Sequence, residues 1–473
     1  MKKIILLLFS FFVALSIYAQ KGHRIEVEIK DYESPNLYLA YYYGDKQYVK
    51  DTVQRDSNGR FVFQGEDALE PGVYMIVMEP DNNFFQILVD ENDQNYSLST
   101  SKDNSVSDMS FQFATDNKLF YKYLRFLEEK RPQADKLQEQ LSQSQDETTR
   151  VNIQTQLDQL NAAVREYQDK LIQDYPESFT AAIIKANLPL DYPEFEGSPE
   201  EVQMSQYRFT KEHYFDNLDL EDPRMLRTPF LFSRIDNYIQ RLTYQNPDSI
   251  NQSVDWILNQ VKPAEETFKF YLIHFLNSYA RSKIIGMDAV YVHLALDYYA
   301  KGLADWTDSE QLEKIVTNAK TLEPLLIGKT APDIQLQKQD GSLISLHEVN
   351  SPYTVLYFWR YDCGACKTST PIMRSFFEKY KDQGVQILAV CMKNADEVGG
   401  CWEYVEKVGV SDWIHTADPY GNANVQTVFD VKSTPQIYIL DKDKKIILKK
   451  LGADQMDEVM GQIIERNSLD PAN

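Results

Sequence analysis

Short runs that alternate apolar and polar residues, each closed by a turn signal, fill the chain from about Gly22 to Phe113. "RIEVEIK" and "NLYLAYYY" alternate with period two, "GRFVFQG" follows Ser57, Asn58 and Gly59, "GVYMIVME" follows Pro71, and "FFQILVD" closes the set. Residues two apart share a strand face, so this spacing predicts an all-β module of the small sandwich kind. Its tyrosines, among them Tyr38 and Tyr41 to Tyr43, read as strand filling, with a carbohydrate or peptide surface as the alternative.

From about Asn117 to Thr321 the apolar spacing becomes helical. Ile153, Leu157, Leu160, Val164, Tyr167 and Leu171 step by four, three, four, three and four, which lines them along one helix face. A seam of this length fits a packed helix or a helical hairpin, with homodimerisation through the same face as the alternative. "TAAIIKANLPL", "RIDNYIQRLTY", "SVDWILNQV" and "VYVHLALDYYAKGL" predict further apolar-faced helices. No fixed-length repeat joins them, so a solenoid is not expected.

A third pattern starts near "IGKTAPDIQL" and alternates strands with helices. It reads as a strand over "YTVLYFW" (353–359), a helix from about Gly364 to Lys381, a strand over "VQILAVCM" and a helix around Glu397 to Lys407. A short helix near Asn424 to Phe429, strands over "QIYIL" and "KIILKK", and a last helix from about Asp454 complete a small α/β layer fold. The expected division is a leader at 1–19, a β-sandwich-like accessory domain at 20–114, an all-α domain at 115–321 and an α/β domain at 322–473.

Composition agrees with a multidomain chain: 473 residues, 43% of them hydrophobic, with only 18 Gly and 19 Pro, suffice for several cores. The leader rests on Lys2 and Lys3, a nearly unbroken apolar run from Ile4 to Leu15, and Ala19 before Gln20. That run falls short of the roughly 20 residues that cross a bilayer, so a cleaved secretory signal is expected. No cysteine stands near the cleavage point to carry a lipid. The most apolar later stretch, "FKFYLIHFLNSYARSKIIG", is broken by Lys269, His274, Asn277 and Arg281, so no second membrane segment is expected. A periplasmic or otherwise exported protein follows. Loss of Lys2 and Lys3 takes the formal charge from −22 to −24, a balance that opposes nucleic-acid binding.

All four cysteines, Cys363, Cys366, Cys391 and Cys401, fall between positions 363 and 401, which is not the distribution of a structural disulfide framework. In "WRYDCGACKTSTP" (359–371), Cys363 follows a buried-looking strand and opens a helix. Unpaired N–H groups and the helix dipole stabilise a thiolate there, which makes Cys363 the attacking sulfur. Cys366 lies one turn further on, placed to resolve a mixed disulfide on Cys363. Pro371 should bend the helix after its first turn. "VKSTPQIYIL" puts Thr434 and Pro435 directly before a strand, where a cis bond or an ordinary trans turn would fit. The cis turn leaves the Thr434 backbone free to pair with an extended client segment.

Together, "IGKTAPDIQL", "VLYFWRYDCGACKTSTP" and "ADPYGNANVQTVFDVKSTPQIYILDKDKKI" resemble the thioredoxin superfamily, specifically exported TlpA/ResA-like thiol-disulfide oxidoreductases. The resemblance covers roughly the last 145 residues and implies a thioredoxin-like fold, Cys363 as nucleophile, Cys366 as resolving thiol and Pro435 as a cis-proline. The layout of a β module and a helical region ahead of such a domain resembles periplasmic proteins of Bacteroidota.

Three departures from that pattern stand out. Tyr357 occupies the place of thioredoxin's buried Asp, and Ser369 that of the Glu found in many exported relatives, so the usual proton acceptor for the resolving thiol is missing. Asp362 and Lys367 are the nearest ionisable substitutes, or else solvated surface charges, and a carboxylate beside Cys363 should raise its pKa. Gly364 and Ala365 replace any histidine between the cysteines, which favours a reductant or isomerase over an oxidase. The Trp that usually precedes the first cysteine is also missing, with Trp359 left as core.

Cys391 and Cys401 admit a second disulfide, a redox relay or two buried thiols. The expected partners are a protein disulfide or dithiol client and a membrane thiol that donates or accepts electrons, with no cofactor. One competing reading is a client- or glycan-binding accessory protein whose thioredoxin-like domain is a recognition module. Another is a soft-metal carrier using the two thiols, although His415 is the only histidine in the later half of that domain. A peroxiredoxin expects a Pro and a Thr or Ser leading to its cysteine, whereas Arg360 stands three residues before Cys363.

Overall fold

A computed structural model describes residues 22–91 and 93–469, so the leader expected at 1–19 lies outside the described residues. The chain divides into two compact units, Met1–Leu242 with Gln260–Phe268, and Thr243–Asn259 with Lys269–Asn473. The helical stretch is shared between them.

The first unit opens with β1 (His23–Lys30), β2 (Asn36–Tyr43), β3 (Lys46–Gln54), β4 (Phe61–Gly65), β5 (Gly72–Met78), β6 (Asn83–Val89), β7 (Asn95–Ser101) and β8 (Ser110–Gln112). They form two four-stranded sheets in the orders β4-β1-β7-β8 and β3-β2-β5-β6. Alternation in β1 buries Ile25, Val27 and Ile29, whereas the inner strand β5 is buried along nearly its whole length. The sequence reading lacked β3, β7 and β8. β3 is a sheet edge, exposed almost throughout, and carries no apolar face to betray it.

Helices follow: α1 (Thr115–Gln143), α2 (Glu147–Asp174), α3 (Phe179–Ala186), α4 (Pro199–His213), α5 (Leu231–Asn237), α6 (Pro247–Val261), α7 (Glu265–Ala280), α8 (Asp288–Leu294) and α9 (Ser309–Leu322). The side-chain oxygen of Asn117 of α1 accepts the Leu88 N–H (2.8 Å) and its amide N–H donates to the Leu88 carbonyl (2.7 Å), closing the open edge of β6 as a strand would. Asp146 caps α2, and the seam residues Ile153, Leu157 and Leu171 are buried. Tyr167 stacks on Phe126 of α1 with ring centroids 3.9 Å apart. The seam therefore serves a hairpin within one chain. Among the described residues no helix is long and apolar enough to cross a membrane.

The C-terminal sheet has the order β10-β9-β13-β12-β11-β14-β15. In chain order its elements are β9 (Gln335–Gln337), β10 (Leu343–Ser345), β11 (Tyr353–Trp359), α10 (Gly364–Tyr380), β12 (Val385–Cys391), α11 (Gly399–Val408) and β13 (Ile414–Ala417). Then come α12 (Val425–Val428), β14 (Gln436–Leu440), β15 (Ile446–Lys449) and α13 (Met456–Leu469). β11, β12 and β13 run parallel and β14 antiparallel to β11. Val355, Tyr357 and Trp359 pack on one face with Cys366, Met373 and Phe376, while Leu356 and Phe358 pack on the other with Phe429 and Tyr438. Burial on both faces is why "YTVLYFW" reads as an unbroken apolar run. β13 and the β9–β10 hairpin were absent from the sequence reading. Each is only three or four residues long and partly exposed, too short to show a period.

Lys449 of β15 is 2% exposed, ion-paired to Asp288 of α8 and hydrogen-bonded to the Leu325 carbonyl at 2.6 Å. Burial lowers its pKa while Asp288 opposes that shift. Removing one member of a buried ion pair strands the other charge. Asp288→Ala is expected to cost about 3 kcal/mol in urea unfolding of this unit, with Lys449→Met on top recovering most of it. A cost of only about 0.5 kcal/mol, as for a surface substitution, would show that the pair is no tie.

Candidate active site

The strand β11 ends at Trp359, and after three intervening residues the chain turns into α10 with Cys363 as its N-cap. The Cys363 backbone is extended there, and its Sγ accepts the N–H of Cys366 at 3.2 Å. A sulfur thus fills the place that a serine or aspartate oxygen takes at most helix starts. On its other side the same thiol donates to the Thr434 carbonyl at 3.2 Å. The Thr434–Pro435 peptide is cis and leads into β14, beside β11. The fold thereby brings Cys363, Cys366, Thr434 and Pro435 together. α10 continues unbroken through Pro371.

The two thiols sit in unlike surroundings. Cys363 is half-buried and Cys366 is 1% exposed, and both are free thiols. Partial burial pushes the Cys363 thiol up, but hydrogen bonds from the Cys366 side chain and N–H, from the Thr434 side chain and from the Ala365 backbone outweigh it and leave its pKa lowered. The bond to the Thr434 carbonyl is the contact that favours the protonated form. Burial, followed by the hydrogen bond with Cys363, pushes Cys366 up to about 11. Tyr357 lies fully buried beside both sulfurs, with its hydroxyl 3.5 Å from Thr370 Oγ1, and burial raises its pKa. Thr370 in turn donates to the Cys366 carbonyl at 2.8 Å.

Asp362, expected to raise the Cys363 pKa, does not stand as a bare charge. Its carboxylate is ion-paired to Lys393 at 2.9 Å, with Arg360 at 3.7 Å, and the Lys393 hydrogen bond holds Asp362 below the usual carboxylate range. Neither Asp362 nor the exposed Lys367 is hydrogen-bonded to Cys366. Lys393 escaped the sequence reading because it lies thirty-one residues from Asp362. The available signal was the parallel pairing of β11 with β12, which brings the ends of both strands to one sheet edge.

Cys391, at the end of β12, is disulfide-bonded to Cys401 in the first turn of α11, with Cα atoms 6.5 Å apart. Both are buried in the cluster that holds Cys366. His415 is also enclosed, hydrogen-bonded to the Val410 carbonyl at 2.7 Å, and burial lowers its pKa. Among the described residues no group of three or more His, Cys, Asp or Glu could hold a metal ion.

Residues 326–464 match the family described as Redoxin. Residues 23–119 and 197–323 match two families described as domains of unknown function, DUF4369 and DUF5106. Among curated proteins, the thiol-disulfide oxidoreductase ResA of Bacillus cereus (strain ZK / E33L) is 26% identical over 147 residues, covering 30% of this chain and 79% of that protein. ResA of Bacillus anthracis is 28% identical over 142 residues, with 30% and 79% covered. The solved thioredoxin domain of a thiol-disulfide oxidoreductase from Bacteroides vulgatus is 22% identical, with 29% of this chain and 97% of that chain covered and a TM-score of 0.27.

The unlike thiols set the pH response. A lowered pKa raises the ionised fraction of Cys363 at any given pH, whereas Cys366 stays protonated until strongly alkaline pH. In the reduced chain, iodoacetamide should label Cys363 with a midpoint below that of an unperturbed thiol. Cys366 should remain unlabelled at that pH when the peptides are mapped by mass. Equal labelling of both would contradict this geometry.

Proposed function

We propose that this chain, a thioredoxin-superfamily member of the TlpA/ResA-like kind and a thiol-disulfide oxidoreductase, is exported and reduces or isomerises protein disulfides through Cys363 and Cys366. The observation that carries the reading is the asymmetry of the two thiols, Cys363 half-buried at the N-cap of α10 and Cys366 buried one turn on. A half-buried sulfur with a lowered pKa is fit to attack, and a buried neighbour one helical turn away is fit to resolve.

In the first step the Cys363 thiolate attacks one sulfur of a client disulfide, forming a mixed disulfide and expelling a client thiolate. In the second, Cys366 loses its proton and attacks the Cys363 sulfur. The Cys363–Cys366 disulfide closes and the second client thiolate leaves. The dithiol gives up two electrons and two protons, and the client gains them. With no carboxylate at Cys366, the first expelled client thiolate is the proton acceptor at hand. Ionisation of Cys363 also ends its hydrogen bond to Thr434, which frees that carbonyl to pair with an extended client segment.

Gly364 and Ala365 add no charge that would favour the thiolate, which supports a reductant or isomerase. A membrane thiol partner would then restore the dithiol. Residues ahead of the redox domain serve client selection in this reading.

The Cys366→Ser variant is expected to accumulate a mixed disulfide on Cys363 when mixed with a disulfide-bonded protein such as insulin. Cys363→Ser should lose insulin reduction by about 1,000-fold or more, as expected when an enzyme loses its nucleophile. An adduct on Cys366 in the Cys363→Ser chain, formed as fast, would reverse the roles. No adduct in either variant would remove the exchange reading.

A further inference from the structure

The segment between the two disulfide-bonded cysteines grips the residues that precede the nucleophile. Its start is fixed by the Met392 N–H, which extends the β11–β12 ladder to the Trp359 carbonyl at 2.9 Å. The Ala395 N–H donates to the Pro419 carbonyl at 3.0 Å, and the Cys391–Cys401 bond closes the loop at its base. Tyr361 lies on Gly400, where a Cβ would fall 2.7 Å from the tyrosine ring, so only glycine admits that approach.

Lys393 stands inside this loop with its side chain 9% exposed. Its ammonium is 2.9 Å from Asp362, 3.0 Å from Glu397 and 5.4 Å from the centre of the Tyr361 ring. An exposed lysine loses most of an ion pair's worth to the entropy of ordering its side chain. Here the disulfide loop and the tyrosine have already ordered it, so its charge acts at a fixed place. The charged groups on the elements that meet at Cys363 are Arg360 and Asp362 on its own segment, Lys393 and Glu397 on the loop, and Lys367 on α10, with Tyr357 and Cys366 buried next to it. Arg360 is half-exposed and 3.7 Å from Asp362, a weaker counter-charge than Lys393.

We propose that Lys393, carried on the loop closed by Cys391–Cys401, is a positioning residue that cancels the Asp362 carboxylate beside Cys363 and so keeps the thiol reactive. The proposal rests on the reading of Cys363 as the nucleophile. Without Lys393 a bare carboxylate precedes the sulfur, disfavours its thiolate and slows its attack at neutral pH. Without Asp362 there is nothing to cancel, and Lys393 becomes dispensable. Packing alone predicts no such dependence of one residue on the other.

The test is the pH profile of iodoacetamide labelling of Cys363 in the full reduced chain, compared among wild type, Lys393→Met, Asp362→Asn and the double variant. Lys393→Met should raise the midpoint and slow labelling at pH 7 by about twofold to fivefold, as expected for one uncancelled charge at short range near the surface. Asp362→Asn should not slow labelling, and the double variant should return to within about twofold of wild type. The chain with Cys391→Ala and Cys401→Ala, assayed by the same labelling, should share the Lys393→Met shift. Continued protection of Cys366 shows that each variant is folded. An unchanged midpoint in Lys393→Met or in the disulfide-free chain, or a double variant as slow as Lys393→Met, overturns the proposal. Insulin reduction measured on the same samples keeps the two readings apart. A wild type that reduces no insulin while the midpoint shift stands defeats the exchange function and leaves the role of Lys393 in place.

Discussion

The backbone N–H groups at the start of α10 need an acceptor, and the sulfur of Cys363 is the one they have. A thiol is a weak acceptor and a thiolate a strong one, so the same contact that starts the helix favours ionisation of the sulfur. This couples fold to chemistry directly. A strand buried on both faces fixes where α10 begins, the beginning of α10 fixes Cys363, and one turn of helix carries Cys366 into the core. The two sulfurs share a sequence motif and differ in everything that sets reactivity.

Around that junction the neighbouring strands supply what the motif does not. β14 brings the Thr434 carbonyl to Cys363 from one side. β12 brings Lys393 and the Cys391–Cys401 bond from the other. Because β11 and β12 are parallel, their ends lie at one edge of the sheet, and residues thirty positions apart become neighbours. Elsewhere in the same unit the buried Lys449 joins β15 to α8, so this unit is built of helices as well as sheet.

Much of this was legible in the sequence, and the rest was not for identifiable reasons. "RIEVEIK", the seam from Ile153 to Leu171 and the apolar run of "YTVLYFW" each carry a period or a length that only one element type satisfies, and the strand-to-helix junction at Cys363 follows from the last of them. β3 and β13 carry no such signal, since their pairing is set by the neighbouring strands and not by their own composition. Asp362 shows the limit most clearly. Next to it in sequence stands a thiol, but the cation that pairs with it comes from the loop after β12. Likewise the spacing of Cys391 and Cys401 allowed several states, and only the approach of α11 to β12 brings the two sulfurs together.

The central claim is that Cys363 and Cys366 form one two-electron couple, and a redox titration of the intact chain tests it most directly. The chain is equilibrated in graded dithiothreitol or glutathione buffers, its thiols are trapped, and the oxidised fraction of each cysteine pair is read separately by mass. The account predicts a single two-electron transition for Cys363/Cys366 within roughly −120 to −270 mV, the span of thioredoxin-like couples, with Cys391–Cys401 still closed through it. A pair that forms no disulfide in any buffer, or that closes only as Cys391–Cys401 opens, would contradict it.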